Sequence, residues 1–455
     1  MKEARTPYIM LCLCAGVYLI SCQLDPRNNG GSNGGENPFS DKEWGTAEII
    51  ETDDSADAWN PQVGVDGNGN AVAVWYQFDG TRLDVWSNRY VAGVGWRTAQ
   101  LIETENIGSA QSPQVAVDGN GSAVAVWCQS DGAGFDHIWS SRYVAGIGWI
   151  LPQFIEEEGI EPLDPQVGID GLGNAVSVWQ ESDGIRYSLY SGRYIAGIGW
   201  GTAQLIETDD SGDAANQQIR VDRSGNAIAV WQQHDGTRNN IWSSYYIAGI
   251  GWILPQLIET DNSGDAARPE IDLDGSGNAV AVWNQSDGAR DSIWSNRYVV
   301  GSGWGTAQLI ETDDSVDASY AEVAVDESGN AVVVWLQWDG IRGDLWSNRY
   351  VVGSGWGTAE LIETDDSGST GSAEVGVDGN GNAVAVWYQS DGTRFSIWSN
   401  CYVVGSGWGT AELIETDDTG NAGIAQIAVD GSGNAVAVWY QSDGTRDSIW
   451  SNTRR

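Results

Sequence analysis

Short runs of alternating or continuous apolar residues are set off along this chain by Gly, Asn and Asp. One stretch shows the order. "AEVGVD" (373–378) alternates and ends at the turn "GNGN". "AVAVWYQ" (383–389) is almost wholly apolar and ends at "SDG". "SIWSNCYVV" (396–404) ends at "GSG", and "WGTAELIE" (408–415) closes the stretch before "TDDTG". Runs of this length with this punctuation predict four strands joined by tight turns, because Gly and Asn accept the positive φ such turns require. No segment shows a sustained helical period, and the density of Gly opposes one.

The pattern then repeats. Trp75, Trp127, Trp179, Trp231, Trp283, Trp335, Trp387 and Trp439 fall 52 residues apart. A second series runs Trp86, Trp139, Trp242, Trp294, Trp346, Trp398 and Trp450, with Tyr190 in its place once. A third opens the closing strand at Trp44, Trp96, Trp149, Trp200, Trp252, Trp304, Trp356 and Trp408. These series take 23 of the 25 tryptophans and leave out only Trp59 and Trp338. Four strands per unit in eight units predict an all-β, eight-bladed β-propeller of four-stranded antiparallel blades. The chain enters the repeats partway through a unit, at "EWGTAEII" (43–50), and leaves after "DSIWSN" (447–452), one strand short. The N-terminal strand is therefore expected to pair into the last blade and close the ring, which removes an adhesive open edge. The periodic tryptophans read as packing between blades.

Antiparallel order also sorts the connections. The tight turns "GNGN" and "GSG" should share one face of the ring. The longer connections "ETDDSGDA" and "QSDGTR" should share the other and crowd it with carboxylates.

Residues ahead of the repeats differ in kind. "MKEARTPYIMLCLCAGVYLISC" has a weakly basic start and a short apolar run, the form of a signal peptide. Its end, Leu19-Ile20-Ser21-Cys22, resembles the lipobox of bacterial lipoproteins. That resemblance implies lipidation of Cys22, a membrane anchor and a place in the bacterial cell envelope. Gln23 after the cysteine implies the outer membrane or cell surface. Residues 22–43 read as a Gly/Asn-rich tether, so the organisation is signal segment 1–21, tether 22–43 and propeller 44–455.

Charge narrows the partners. There are 63 acids against 22 bases, a net charge of −41. Such a surface repels phosphate backbones, so nucleic acid is not an expected partner. The chain is expected to be a monomer. The Asp-rich turns "DGNGN" (66–70) and "DLDGSGN" (272–278) space oxygens as calcium loops do, but no Glu stands at the twelfth position. They read as hairpin turns, and no cofactor is expected, with calcium the one ion to test. Cys128 and Cys401 lie in distant units and read as incidental. The two histidines, His137 and His234, lie in units that do not adjoin. Neither has a repeated nucleophile beside it, so no triad can be argued and no catalytic residue is singled out.

Variation between copies points elsewhere. The residue before the "DG" turn is Ser in five units but Phe78, His234 and Trp338 in the others. With Trp59, these form the candidate ligand-binding set, because aromatics beside carboxylates suit sugars and protein partners. "VAVDGNGNAVAVW" resembles NHL-type propeller repeats, and the Asp and Trp spacing loosely resembles PQQ-like propellers. The spacing departs from the tryptophan-docking motif of the latter, so no quinone is implied. Both resemblances imply fold. The expected function is a membrane-anchored binding scaffold for a protein or glycan. The alternative is an extracellular propeller-type hydrolase or lyase acting on polysaccharide.

Overall fold

The computed structural model describes residues 39–455 except 53–55, 105–107, 157–160, 209–210, 261–263, 314, 339, 365–367 and 418. The signal segment, Cys22 and the tether up to residue 38 lie outside the described residues, as does part of each "ETDD" connection.

Eight antiparallel sheets follow one another along the chain, each one blade. In blade 1 the inner strand is Ala58–Val65, the second Ala71–Phe78 and the third Leu83–Val91. The inner strands of blades 2 to 8 are Ala110–Val117, Leu163–Ile169, Ala214–Val221, Ala266–Leu273, Ala318–Val325, Thr370–Val377 and Ala422–Val429. Blade 8 is stitched from both ends of the repeat region, as its incomplete last unit predicts. Glu48–Ile49 pairs with Asp447–Arg454, with Glu48 opposite Ser451 and Ile49 opposite Trp450, and Trp44 bridges to Arg454.

The outer strand is not the continuous run expected from "WGTAELIE". It is two short pieces, Gly95–Trp96 and Gln100–Leu101 in blade 1. Tyr90 faces Trp96 and Trp86 faces Leu101, so the outer chain carries one more residue than its partner over that interval. The Asn of "IWSN" fills the break. Asn88 donates from Nδ2 to the carbonyls of Arg97 at 2.7 Å and of Ile50 at 2.7 Å, the latter in the chain that closes the preceding blade.

Second strands are buried on both faces, which explains their unbroken apolar runs. Each of their eight tryptophans is 0% exposed. The indole nitrogen is not left bare: Trp75 Nε1 donates to Gln77 Oε1 at 3.2 Å, Trp127 to Gln129 at 2.9 Å and Trp439 to Gln441 at 2.8 Å. A buried Glu receives the Gln amide in turn, as when Gln129 Nε2 donates to Glu103 Oε2 at 3.0 Å. Blades are also joined by arginine over tyrosine, with Arg89 at 5.3 Å from the Tyr143 ring and Arg349 at 5.0 Å from that of Tyr402. Each such contact contributes about 0.5–2 kcal/mol.

The turn "DGNGN" is a closed hydrogen-bonded unit. Asp66 Oδ1 accepts from the N–H groups of Asn68 and Asn70, and Oδ2 accepts from Asn70 Nδ2. Gly69 sits at φ 75, in the left-handed region that Gly enters freely. The turn geometry alone employs the carboxylate that resembled a calcium ligand.

Truncating Trp439 to Ala removes one interblade wedge and strands Gln441 Oε1. The expected cost is about 3–5 kcal/mol, read as a lower urea midpoint; a loss below about 1 kcal/mol would show that the indole is not a structural wedge.

Candidate functional site at the channel mouth

Eight inner strands surround a central channel of about 550 Å³. One residue per blade lines it at the same level: Gln62, Gln114, Gln166, Gln218, Glu270, Glu322, Glu374 and Gln426. Two residues further along, most blades place Gly or Ala, whereas blades 4 and 5 place Arg220 and Asp272, whose side chains meet at 3.5 Å. Ionisable chemistry is thus gathered on blades 4 to 7. The remaining blades offer amides.

The channel opens at a polar mouth of about 440 Å³, on the face that carries the inner-strand starts and the "DG" turns. Seven of the eight inner strands begin with a non-glycine residue in the left-handed region, with φ between 46 and 57: Asn60, Ser112, Asp164, Asn216, Arg268, Tyr320 and Ile424. A register shift follows directly, as between Trp59 and Gln62, so each is the residue of a β-bulge. Such a conformation costs non-glycine residues on the order of 1–2 kcal/mol, and most for β-branched Ile424. The bulge re-aims one side chain in each of these seven blades into the mouth. These side chains differ in chemistry from blade to blade. Arg268 lies over the Tyr320 ring at 4.3 Å.

Below this rim the glutamates share one electrostatic problem. Burial pushes Glu270 up to about 8, with Arg220 opposing and Glu374 adding to the rise. Burial pushes Glu374 up to about 7, opposed by the amide of Gln426. Glu322 lies well above the ordinary range through burial and the charges of both neighbours. Gln218 Nε2 donates to Glu270 Oε1 at 2.6 Å, and Gln426 Nε2 to Glu374 Oε1 at 2.8 Å. The three carboxyls line the channel inside the ring, where like charges repel and solvation is poor. Among the described residues, no three His, Cys, Asp or Glu side chains are grouped to hold a metal ion.

The sequence-predicted residues lie on the mouth face but are not brought together. Trp59 is in the inner strand of blade 1, and its Nε1 donates to Asp447 Oδ2 of blade 8 at 2.8 Å. Phe78 and Trp338 end the second strands of blades 1 and 6, 37% and 44% exposed. His234 has a local task. Its Nδ1 accepts the Gly236 N–H at 3.0 Å, the same bond that Ser182 and Ser390 accept from Gly184 and Gly392. The recurrent Ser is a turn cap, and His234 replaces it in kind. The other histidine, His137, pairs with the buried Glu156 at 2.6 Å.

Sequence reading missed the Glu270, Glu322 and Glu374 trio and the bulge ring. Their signal was present: the polar positions of the inner strand read Q, Q, Q, Q, E, E, E, Q down the copies.

No protein-family model and no curated protein matches this chain in sequence. Solved structures share the architecture. An ulvan lyase, described as a new family of polysaccharide lyase, superposes with TM-score 0.53 at 12% identity, over 80% of this chain and 96% of its own. A protein of unknown function from Dyadobacter fermentans gives 0.43 at 12% identity, over 78% and 96%, and a Hadza microbial sialidase gives 0.40 at 12% identity, over 86% and 74%. At 12% identity the likeness to the ulvan lyase bears on the fold alone.

Raised glutamates make stability depend on pH in a defined direction. A carboxyl whose folded pKa exceeds its unfolded value of 4.5 adds stability below that value. The contribution is lost as pH rises through the folded values near 7 and 8. The urea midpoint should fall from about pH 5 to about pH 8, and E270Q/E322Q/E374Q should flatten that fall. Glu363, pushed up to about 8 by burial and then by Asp344, supplies a residual slope.

Proposed function

We propose that this chain hydrolyses a polysaccharide at the channel mouth on its carboxylate-rich face. The observation that carries the reading is Glu322, set inside a polar concavity between two further carboxyls on the neighbouring inner strands. A general acid for glycoside cleavage must keep its proton, and burial beside like charges raises the Glu322 carboxyl in that direction. Glu322 would protonate the departing glycosidic oxygen. Water adds to the anomeric carbon and gives its proton to Glu374 as base, the less raised of the two flanking carboxyls. The rim of bulged residues positions the sugar, with the exposed Tyr320 ring as a stacking surface and Phe78 and Trp338 as more distant contacts. The polysaccharide lyase among the structural neighbours supports a carbohydrate role by fold analogy alone.

A second reading is a glycan-binding scaffold without turnover. The amide arc of Gln62, Gln114, Gln166 and Gln426 favours it, since amides bind hydroxyls without exchanging protons. Reducing-end release across a polysaccharide panel separates the two. Hydrolysis predicts new reducing ends, with E322Q slower by about 10²-fold or more. Retained affinity without turnover in the unaltered protein would leave the scaffold.

We further propose that the propeller is an envelope lipoprotein anchored through Cys22 at the outer membrane or cell surface. The Leu19-Ile20-Ser21-Cys22 sequence supports this. Labelling cells with a clickable fatty acid should tag the protein, and C22S should abolish the label. Equal labelling of C22S would remove the anchor.

A further inference from the structure

We propose that the face opposite the mouth docks on a lipid bilayer through an arc of apolar turns on blades 1 to 4. This surface is separate from the sugar site, and it adds to the anchor proposed at Cys22. The turn that joins the third strand to the outer strand is the same in seven blades. The N–H of its last residue donates to the carbonyl three residues back at 2.9 Å. In blades 1 to 4 that residue is Val94, Ile147, Ile198 and Ile250, which are 64%, 80%, 82% and 79% exposed. In blades 5 to 7 it is Ser302, Ser354 and Ser406. The turn itself therefore does not call for an apolar residue. Equivalent positions in consecutive blades of a ring lie at one level, so the four tips can meet a flat surface together.

The apolar surface continues beyond the tips. Leu151 and Leu254 are exposed in the breaks of the outer strands of blades 2 and 4. Between blades 3 and 4 lies a cleft of about 420 Å³, lined by Ile198, Trp200, Tyr246, Ile250 and Trp252 among others. Indole and phenol rings beside aliphatic tips suit the boundary between lipid headgroups and acyl chains. The tips stand out from separate blades, and a fluid surface accepts several projecting groups at once.

Charge and chain path single out the same face. The acidic connections leave strands that run toward the mouth. On the opposite face the turn carboxylates are closed by their own backbone, as at Asp66. Arg89, Arg142 and Arg193 lie there over tyrosines of the next blade, at 5.3, 5.4 and 5.0 Å. An anionic headgroup layer repels this face least. Phe39, the first described residue, is buried on it against the blade 8 turn at Gly433, and Arg454 Nη2 donates to the Phe39 carbonyl at 2.8 Å. Cys22 stands 17 residues earlier, a span of at most about 60 Å. An anchor there draws this face to the lipid and leaves the mouth open to the medium.

The test is hydrogen exchange of the full chain, with and without vesicles of phosphatidylethanolamine and phosphatidylglycerol. Peptides spanning 144–151, 195–201 and 247–254 should exchange about fivefold or more slowly with vesicles. Peptides spanning 299–305 and 351–357 hold the same turn bond and should be unchanged. I147S/I198S/I250S should lose the slowing. This variant is expected to fold, because Ser is native in the same turn of blades 5 to 7. No slowing in blades 2 to 4, whether or not vesicles carry the chain down, would overturn the inference, as would equal slowing in all seven turns. Slowing that appears without vesicles as protein concentration rises would also overturn it and make the arc a contact between copies. The anchor is read separately: fatty-acid labelling with unslowed turns keeps Cys22 and removes the docking face, and slowed turns in an unlabelled chain do the reverse.

Discussion

The buried indole of each second strand is the spacer on which the ring depends. Eight identical side chains at 0% exposure fill equivalent gaps around the ring, and the first strand meets the last in blade 8. The indole can be buried so deeply because its one polar atom is satisfied by the side chain two residues on, Glu181 in blade 3 and a Gln in others, as at Gln129, whose amide a buried Glu accepts where the chain passes to the next blade. An unmet N–H there would cost on the order of 1–3 kcal/mol, repeated around the ring. The hydrogen-bond relay therefore belongs to the wedge, and the channel's width follows from it.

Much of the architecture was legible because it is written repeatedly and in residues with single uses. The 52-residue step of Trp75, Trp127 and their successors gave blade number, and the missing last strand gave closure. The interrupted outer strand was not legible. It depends on the Asn88 amide bonding to the carbonyls of Arg97 and Ile50 of two strands, and side-chain bonds across blades leave no period in one chain. The site was legible only in part. Which connections share a face was legible, since antiparallel order alone assigns it. Substitutions at the "DG" turn drew notice because Phe78 and Trp338 are large, yet His234 there repeats what Ser182 does. Changes from Gln to Glu in the inner strand preserve size and polarity, so they pass unnoticed until the ring sets them side by side.

The mouth joins two local rules that conflict with ordinary strand formation. The inner strand must begin on a bulge with left-handed backbone at residues that are not Gly, and it must hold carboxyls where solvation is poor. Both are sustained by the wall behind them. Second strands buried on both faces leave the inner strands little freedom to relax, so bulge strain at Ile424 and charge crowding at Glu322 persist together. A stiff scaffold of identical parts thus supports an uneven interior.

That unevenness sits on the inner strands, while the second strands are nearly identical from copy to copy. Gln62 and Glu322 occupy equivalent places in equivalent strands, so exchanging one for the other alters the channel without altering the wall. Wall and content are inherited separately in such a molecule. A copying event that duplicates a unit brings along a finished blade, and one later codon change gives that blade its own voice in the channel. The fold therefore behaves as a fixed frame around an eight-letter message, one letter per blade, that can be rewritten a letter at a time.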